Sequence, residues 1–348
     1  MKILYGIQST GNGHITRAIE LIPYLMEWGD LDVLLSGSQS DIEMPFKVKY
    51  RFNGLSFVFG KQGGVDVWNT YWNMKTMKLM KEINNLPIEK YDLIISDFEP
   101  VTAWASLKAG RVCVGLSNQM ASMHPLAPSP KKIDLLGKLI LSQYAPCSIA
   151  YGFHFKSLDQ HIFTPIIRKE IRELTPSNEG HYTVYLPAYS DEKIIKSLSQ
   201  FEKIRWEVFS KHNKKKFKEK NISIQPINNG QFVKSLVSCE GVLCNAGFGT
   251  TSEALFLQKK LLVIPMKNQY EQHCNAAMLK SMGVHVIKKL GEKNHEKIGN
   301  WLSENNTVQV DYPDNAREIV DLIVRHHGFK PKKTAIPETI TTNLFQNL

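Results

Sequence analysis

Apolar residues in the first half of the chain fall into short runs separated by stretches with helical spacing. Lys2–Gln8 reads as a buried strand, after which Ile15, Ala18, Ile19, Ile22, Leu25 and Met26 recur at intervals of three and four. Val33–Leu35 predicts a short second strand. Leu93–Ser96 and Val112–Leu116 predict two more, with a helical Val101–Ala109 between them. A second alternation begins near residue 181. Tyr182–Leu186, Arg205–Phe209, Ile222–Gln225, Gly241–Cys244 and Leu261–Ile264 read as strands, and Gln231–Ser238, Thr251–Leu257 and His273–Met282 as helices between them. Short apolar strands alternating with helices predict an α/β protein with parallel sheets covered on both faces. At about 150 residues per domain, 348 residues predict two domains.

Some segments interrupt the pattern. Phe163–Asn178, with Pro165, Pro176 and mixed charges, reads as the linker, which divides the chain into 1–165 and 166–325. Residues 326–348 read as a surface tail. Lys214–Lys220 reads as a solvated, lysine-rich turn. Met120–Ala145 opens with Pro125, Pro128 and Pro130 and continues into leucines and isoleucines among Lys131, Lys132 and Lys138. It reads either as an amphipathic helix at a membrane surface or as a helix covering its own domain core. Asn53–Tyr71, with Gly60, Gly63, Gly64, Phe57, Phe59, Trp68 and Tyr71, reads as a pocket wall or a surface flap.

Composition changes this picture little. Hydrophobic residues make up 43% of the chain, ample for two cores. No run approaches the ~18 apolar residues that predict a membrane span. Five cysteines with no CxxC pair predict reduced thiols and a cytoplasmic setting. The net charge of +10 is uneven, at +2 over residues 1–165 and +8 over the rest. Such an excess suits nucleic acid, an anionic membrane or a phosphorylated substrate. The chain carries no helix-turn-helix, zinc or RNP motif, so nucleic acid is not expected as a partner.

Four strand-end turns carry candidate chemistry. Gly11, Asn12, Gly13 and His14 join the first strand to the first helix. There a glycine lets the backbone approach a ligand, and the helix end favours negative charge. An imidazole at this carboxyl edge suits a general base at neutral pH. Asp97 and Glu99 follow the strand Leu93–Ser96. Each reads either as a partner orienting that imidazole or as a helix cap. Gly247, Gly249, Thr250, Thr251, Ser252 and Glu253 open another helix, whose amides and hydroxyls suit a diphosphate. Glu271, Gln272, His273 and Asn275 follow the next strand and suit sugar hydroxyls. Asp30-Leu31-Asp32 has the form of a metal-binding DxD but lies at the start of the second strand, away from the expected cleft, and reads as a turn, so no metal is expected.

Asn245-Ala246-Gly247 through Glu253-Ala254-Leu255, then Ile264-Pro265, Glu271-Gln272 and Asn275-Ala276, resemble the donor-binding signature of GT-B fold glycosyltransferases. The nearest likeness is to the peptidoglycan lipid-linked N-acetylglucosaminyltransferase and to UDP-glycosyltransferases. The glycine turn with His14 resembles their N-terminal glycine loop, and the likeness spans roughly residues 1–290. It implies two Rossmann-like domains facing across a cleft, the first binding the acceptor and the second the nucleotide sugar. It also implies that Glu253 holds the ribose, that Gly247, Gly249, Thr250 and Thr251 face the phosphates, and that Glu271 and Gln272 contact the donor sugar. His14, supported by Asp97, would deprotonate the acceptor hydroxyl in an inverting displacement without metal or cofactor. Plant and animal relatives usually carry His where Asn245 stands, and often Asp where Glu271 stands.

The expected partners are therefore a nucleotide-sugar donor, UDP-linked, and a glycan, lipid-linked or small-molecule acceptor, with the cytoplasmic membrane face as a candidate contact. Three further readings compete. A non-hydrolysing sugar-nucleotide epimerase would draw on Asp97, Glu99 and Glu271. A basic nucleic-acid-binding protein or a silent sugar-nucleotide-binding module would use no catalytic base.

Overall fold

The computed structural model describes residues 1–37, 42–55, 59–60, 64–65, 76–130 and 134–328. The first sheet is built from β1 (Lys2–Gln8), β2 (Asp30–Ser36), β3 (Val48–Phe52), β6 (Leu93–Asp97), β7 (Val114–Ser117), β8 (Ile149–Phe153) and β9 (Ile162–Phe163). A short hairpin, β4 (Phe59–Gly60) and β5 (Gly64–Val65), lies apart from it. The sheet order is β3-β2-β1-β6-β7-β8-β9, every pair parallel. Helices α1 (Asn12–Glu27), α2 (Thr76–Asn85), α3 (Pro100–Lys108), α4 (Asn118–Ser122) and α5 (Leu135–Tyr144) lie between these strands.

The second sheet holds β10 (His181–Tyr185), β11 (Arg205–Ser210), β12 (Phe217–Glu219), β13 (Ile222–Pro226), β14 (Gly241–Asn245), β15 (Lys260–Ile264) and β16 (His285–Val286). Its order is β12-β13-β11-β10-β14-β15-β16, parallel except where β12 runs against β13. The helices here are α6 (Lys169–Arg172), α7 (Asp191–Leu198), α8 (Asn229–Ser238), α9 (Phe248–Phe256), α10 (Tyr270–Ser281), α11 (His295–Ser303) and α12 (Ala316–His327). The α/β class with two Rossmann-like sheets is as the alternation implied. In each sheet the strand order reverses once, between β1 and β6 and between β10 and β14. Open α/β sheets bind ligands in the crevice beyond the carboxyl ends of such a pair.

Four expectations change. The last helix, α12, lies within the stretch assigned to the second domain yet packs on the first sheet. Ala316, Ile319, Val320, Ile323 and Val324 join the core of Ile3, Tyr5, Leu21, Ile22 and Leu25. That spacing presents one apolar stripe, and α1 offers the matching one. Trp28 Nε1 donates to Asp321 at 2.8 Å, and Arg317 pairs with Glu27 at 2.7 Å. Asp30-Leu31-Asp32 is the start of β2 rather than a turn, because Gly29 makes the turn before it. Asp32 receives Lys49 Nζ at 2.6 Å and Tyr91 OH at 2.8 Å. Lys214–Lys220 contains β12, since Phe217 pairs with Ile224. Met26 does not share the buried face of α1 but is exposed. Most of the Asn53–Tyr71 stretch, including Phe57, Gly63, Trp68 and Tyr71, lies outside the described residues, as do Lys131, Lys132 and residues 329–348.

His154, just past β8, is 1% exposed; its Nδ1 accepts the Phe155 amide at 3.0 Å. Burial pushes its imidazole down to about 4. An unfolded chain binds this proton near pH 6.5, so the folded state holds fewer protons between those values. Stability is therefore complete above pH 6.5 and drains away as pH falls toward 4, by on the order of 3 kcal/mol. Denaturant unfolding at stepped pH should show this slope, and His154→Asn should flatten it. An equally steep slope in the variant would refute the assignment.

Candidate active site

The first wall of the crevice is the end of β1 and the start of α1. Gly11 takes φ 94°, a left-handed conformation that suits glycine, and serves as the N-cap with no side-chain hydrogen bond. A Cβ at Gly11 or Gly13 would meet nothing within 4 Å, so the turn faces open space. His14 and Arg17, one turn apart, lie on the same face of α1. Both reach Asp97 at the end of β6, because β6 pairs directly with β1 and Ile7 is in register with Asp97.

His14 Nδ1 lies 2.7 Å from Asp97 Oδ1. Arg17 donates from Nε to Asp97 Oδ2 at 2.9 Å and from its terminal nitrogen to Oδ1 at 2.5 Å. Asp97 is fully buried. Burial by itself would raise its carboxyl, but the adjacent Arg17 and His14 hold it below the ordinary carboxylate value. Asp97 is thus an ionised acceptor, so the proton in the His14 contact belongs to Nδ1. Nε2 lies 3.4 Å from the amide nitrogen of Gln119, a donor.

Glu99 has a different task. The chain turns sharply at Phe98, φ 53°, so the two acids address different partners. Glu99 caps α3, accepting the amides of Val101 at 2.8 Å and Thr102 at 2.6 Å, and the Ser36 hydroxyl at 2.5 Å. Fully buried in this cap, it is removed from any proton-moving role of the kind an epimerase needs. Phe98 itself stacks beside His14, with centroids 6.4 Å apart, and against Tyr144 at 4.6 Å.

The opposite wall is the end of β14 and the start of α9. Gly247 is the N-cap, again without a side-chain hydrogen bond, which leaves the first amides of α9 with no side-chain cap. Gly249 is exposed, with nothing within 4 Å of an added Cβ, and Thr250 is half-buried. Thr251 departs from expectation. It is fully buried and its hydroxyl donates back to the carbonyls of Gly247 at 2.5 Å and Phe248 at 3.0 Å, so it does not face the crevice. Glu253 is buried and gripped by Arg168, which donates from Nε at 2.5 Å and from a terminal nitrogen at 2.8 Å. A carboxylate has about four acceptor sites, so this bidentate grip leaves capacity for further donors.

Between the walls stands Glu271, in the first turn of α10. Its carboxylate accepts Asn118 Nδ2 at 2.8 Å and Gln119 Nε2 at 3.0 Å, both from α4 of the first unit. Gln272 holds the loop after β15, its Oε1 accepting the Met266 amide at 2.9 Å, with its Nε2 beside Gly247. Asn275 Nδ2 donates to the Ala246 carbonyl at 3.0 Å. The structure thus joins His14, Asp97 and Glu271 into one network and places the open turn of Gly247 and Gly249 on the facing unit.

Sequence reasoning did not single out Arg17, Asn118, Gln119 or Arg168. Arg17 had no signal, because position 17 lies off the stripe of Ile15, Ala18, Ile22 and Leu25. Asn118 and Gln119 had a weak one, two amides directly after a buried strand. Arg168 sits among mixed charges in the expected linker and had none.

Two Rossmann-like units, each with a glycine turn at the strand-order reversal, give the GT-B architecture. The family model described as glycosyl transferase family 1 matches residues 1–305, and the chain belongs to that family. No curated protein matches the chain in sequence. Among solved structures it is similar to UGT89C1 of Arabidopsis thaliana complexed with UDP-L-rhamnose. The identity is 11%, the TM-score 0.61, and the match covers 94% of this chain and 99% of that one. It is also similar to MurG of Acinetobacter baumannii (13%, TM-score 0.55, 93% and 99% covered). UGT2 of Phytolacca americana complexed with UDP-2fluoro-glucose and pterostilbene matches as well (13%, TM-score 0.56, 94% and 93% covered). At these identities the likeness concerns the fold.

Removing the charge that pairs with Arg17 should be severe. Asp97→Ala leaves a guanidinium buried without its counter-ion, which should lower unfolding stability by about 3–5 kcal/mol. Denaturant titration reads this directly; a loss below about 1 kcal/mol would mean that the pair does not hold the crevice wall.

Proposed function

We propose that this glycosyltransferase moves a hexose or N-acetylhexosamine from a UDP-linked donor to an acceptor hydroxyl, with inversion at the anomeric carbon. The observation that carries the reading is the His14–Asp97 contact at the strand-order reversal of the first sheet, the imidazole Nε2 turned toward Gln119 and Glu271. His14 takes the acceptor proton as the acceptor oxygen forms its bond to the anomeric carbon. Asp97 stabilises the imidazolium that results. The bond to the diphosphate breaks on the opposite face of the sugar, and the departing charge is received by the uncapped amides of α9 beside Gly249 and Thr250. No metal or cofactor enters this scheme. Glu253 offers its remaining acceptor sites to ribose hydroxyls, and Glu271 exchanges its Asn118 and Gln119 contacts for sugar hydroxyls. UDP-sugar complexes of the similar UGT89C1 and UGT2 support the choice of donor.

A panel of UDP, UDP-glucose, UDP-N-acetylglucosamine and other nucleoside diphosphates, read by thermal shift, tests the donor. A uridine ligand at one hundred times its dissociation constant should stabilise the fold by about 2.7 kcal/mol. His14→Ala should retain that shift and lose transfer by about 10²–10⁴-fold. No shift with any uridine ligand would overturn the donor assignment. Conversion of UDP-N-acetylglucosamine to its epimer without acceptor would replace transfer by epimerisation.

A second feature favours an acceptor held at a lipid surface, on the cytoplasmic face of a membrane. Leu126, Leu135 and Leu139 are 64%, 75% and 58% exposed. Helix α5, which carries the last two, also carries exposed Lys138 and abuts α10, where Gly137 approaches Tyr270. Its opposite face is buried, with Leu141 and Tyr144 packed on Phe98 and Ala103, so the helix covers its own core and presents leucines outward. Among the described residues no helix is long and apolar enough to cross a membrane, so the contact would be peripheral. Sedimentation with phosphatidylserine-containing vesicles should carry the protein down at low salt, and Leu135→Ser with Leu139→Ser should abolish this. Equal sedimentation of wild type and variant would remove the proposal.

A further inference from the structure

The basic residue that Asp97 shares with His14 has no place in the scheme above. Arg17 is 6% exposed and lies over the Phe153 ring, 5.2 Å from its centroid. It lies at the edge of the buried face of α1. Burying a guanidinium is costly unless every donor is engaged. Arg17 places two donors on Asp97 and a third on Asn118 Oδ1 at 3.2 Å. Its terminal nitrogen also comes within 3.0 Å of His14 Nδ1. With the proton on Nδ1 both atoms are donors, and Asp97 Oδ1 accepts from each.

We propose that Arg17 is a positioning residue that balances the Asp97 carboxylate and orients both the His14 ring and the Asn118 amide that reaches Glu271. The inference rests on the reading of His14 as the base. In a two-membered His–Asp pair the full carboxylate charge acts on the imidazole and favours its protonated form before any acceptor arrives. With Arg17 present, Asp97 acts on His14 as a hydrogen-bond acceptor within a neutralised pair. The ring is oriented, and the Nε2 lone pair stays available. The charged and titratable groups around His14 are Asp97 from β6, Arg17 from its own helix, Tyr5 from β1 through Asp97, and Glu271 from α10 through Gln119. Arg17 is the one cation in this set, so its removal leaves only negative charge facing the imidazole. The same side chain extends the network along Asp97, Arg17, Asn118 and Glu271, from the base to the facing unit.

Nitrogen-15 spectra of histidine-labelled protein test this without a substrate. In the wild type, His14 at neutral pH should carry its proton on Nδ1 and a bare Nε2. The opposite tautomer would mean that Arg17 donates to Nδ1, and would overturn the proposal without any variant. In Arg17→Gln, which retains an amide donor near Asp97, His14 should hold its second proton to a pH higher by about one unit. Arg17→Lys restores the charge without the planar fork and should return the transition toward that of the wild type. If Arg17→Gln titrates His14 as the wild type does, Arg17 is a packing residue only. Failure of the uridine panel would remove the donor assignment and leave these spectra unaffected; coincident titrations would remove Arg17 and leave the donor assignment intact.

Discussion

A carboxylate with no exposure to water persists only if opposite charge and hydrogen bonds replace its hydration. Asp97 satisfies this at the strand-order reversal of the first sheet, and the first wall of the crevice is arranged around it. Because β1 and β6 are neighbours in register, the end of one lies beside the helix that leaves the other. Residues 14 and 17 project from the same side of that helix and meet the acid together. Burial would otherwise protonate Asp97; Arg17 and His14 keep it ionised, and an ionised Asp97 in turn dictates which nitrogen of His14 bears hydrogen.

The second sheet repeats the topology and reverses the charge. Its reversal between β10 and β14 presents Gly247, Gly249 and the uncapped start of α9, a wall that favours anions. The acids there are engaged, Glu253 by Arg168 and Glu271 by amides from across the crevice. An imidazole oriented by Asp97 therefore faces a helix start whose first amides have no side-chain cap. The two units are further tied by α12, which returns from the second unit to pack on α1.

Much of the fold was legible because parallel strands buried on both faces are nearly continuous apolar runs. β1 and five strands of the second sheet fall where their apolar runs predicted. β3 (Val48–Phe52) was missed because its exposed edge position mixes Lys49 and Arg51 with Tyr50 and Phe52. β8, Ile149–Phe153, was missed because Ala150 and Gly152 dilute the run. The allegiance of α12 was illegible: its stripe at 316, 319, 320, 323 and 324 announces an amphipathic helix but not which core receives it.

At the site, single positions were readable and their division of labour was not. His14 and Asp97 each stood at a strand end, a local feature of the chain. Of the two acids after β6, either fits a cap or an orienting role by sequence; the left-handed turn at Phe98 assigned Glu99 to the cap and Asp97 to the imidazole. Thr251 carries a hydroxyl suited to phosphate, but its place one turn into α9 points it back at the helix carbonyls. By itself the sequence determined the alternation, the strand ends and the glycine turns, since these follow from local periodicity and backbone freedom. Only the tertiary structure decided that Arg17 shares Asp97, that Arg168 grips Glu253 and that Asn118 and Gln119 meet Glu271. Those partners are 80, 85, 153 and 152 residues apart, and the energy of a buried charge depends on what the whole fold brings within 3 Å of it.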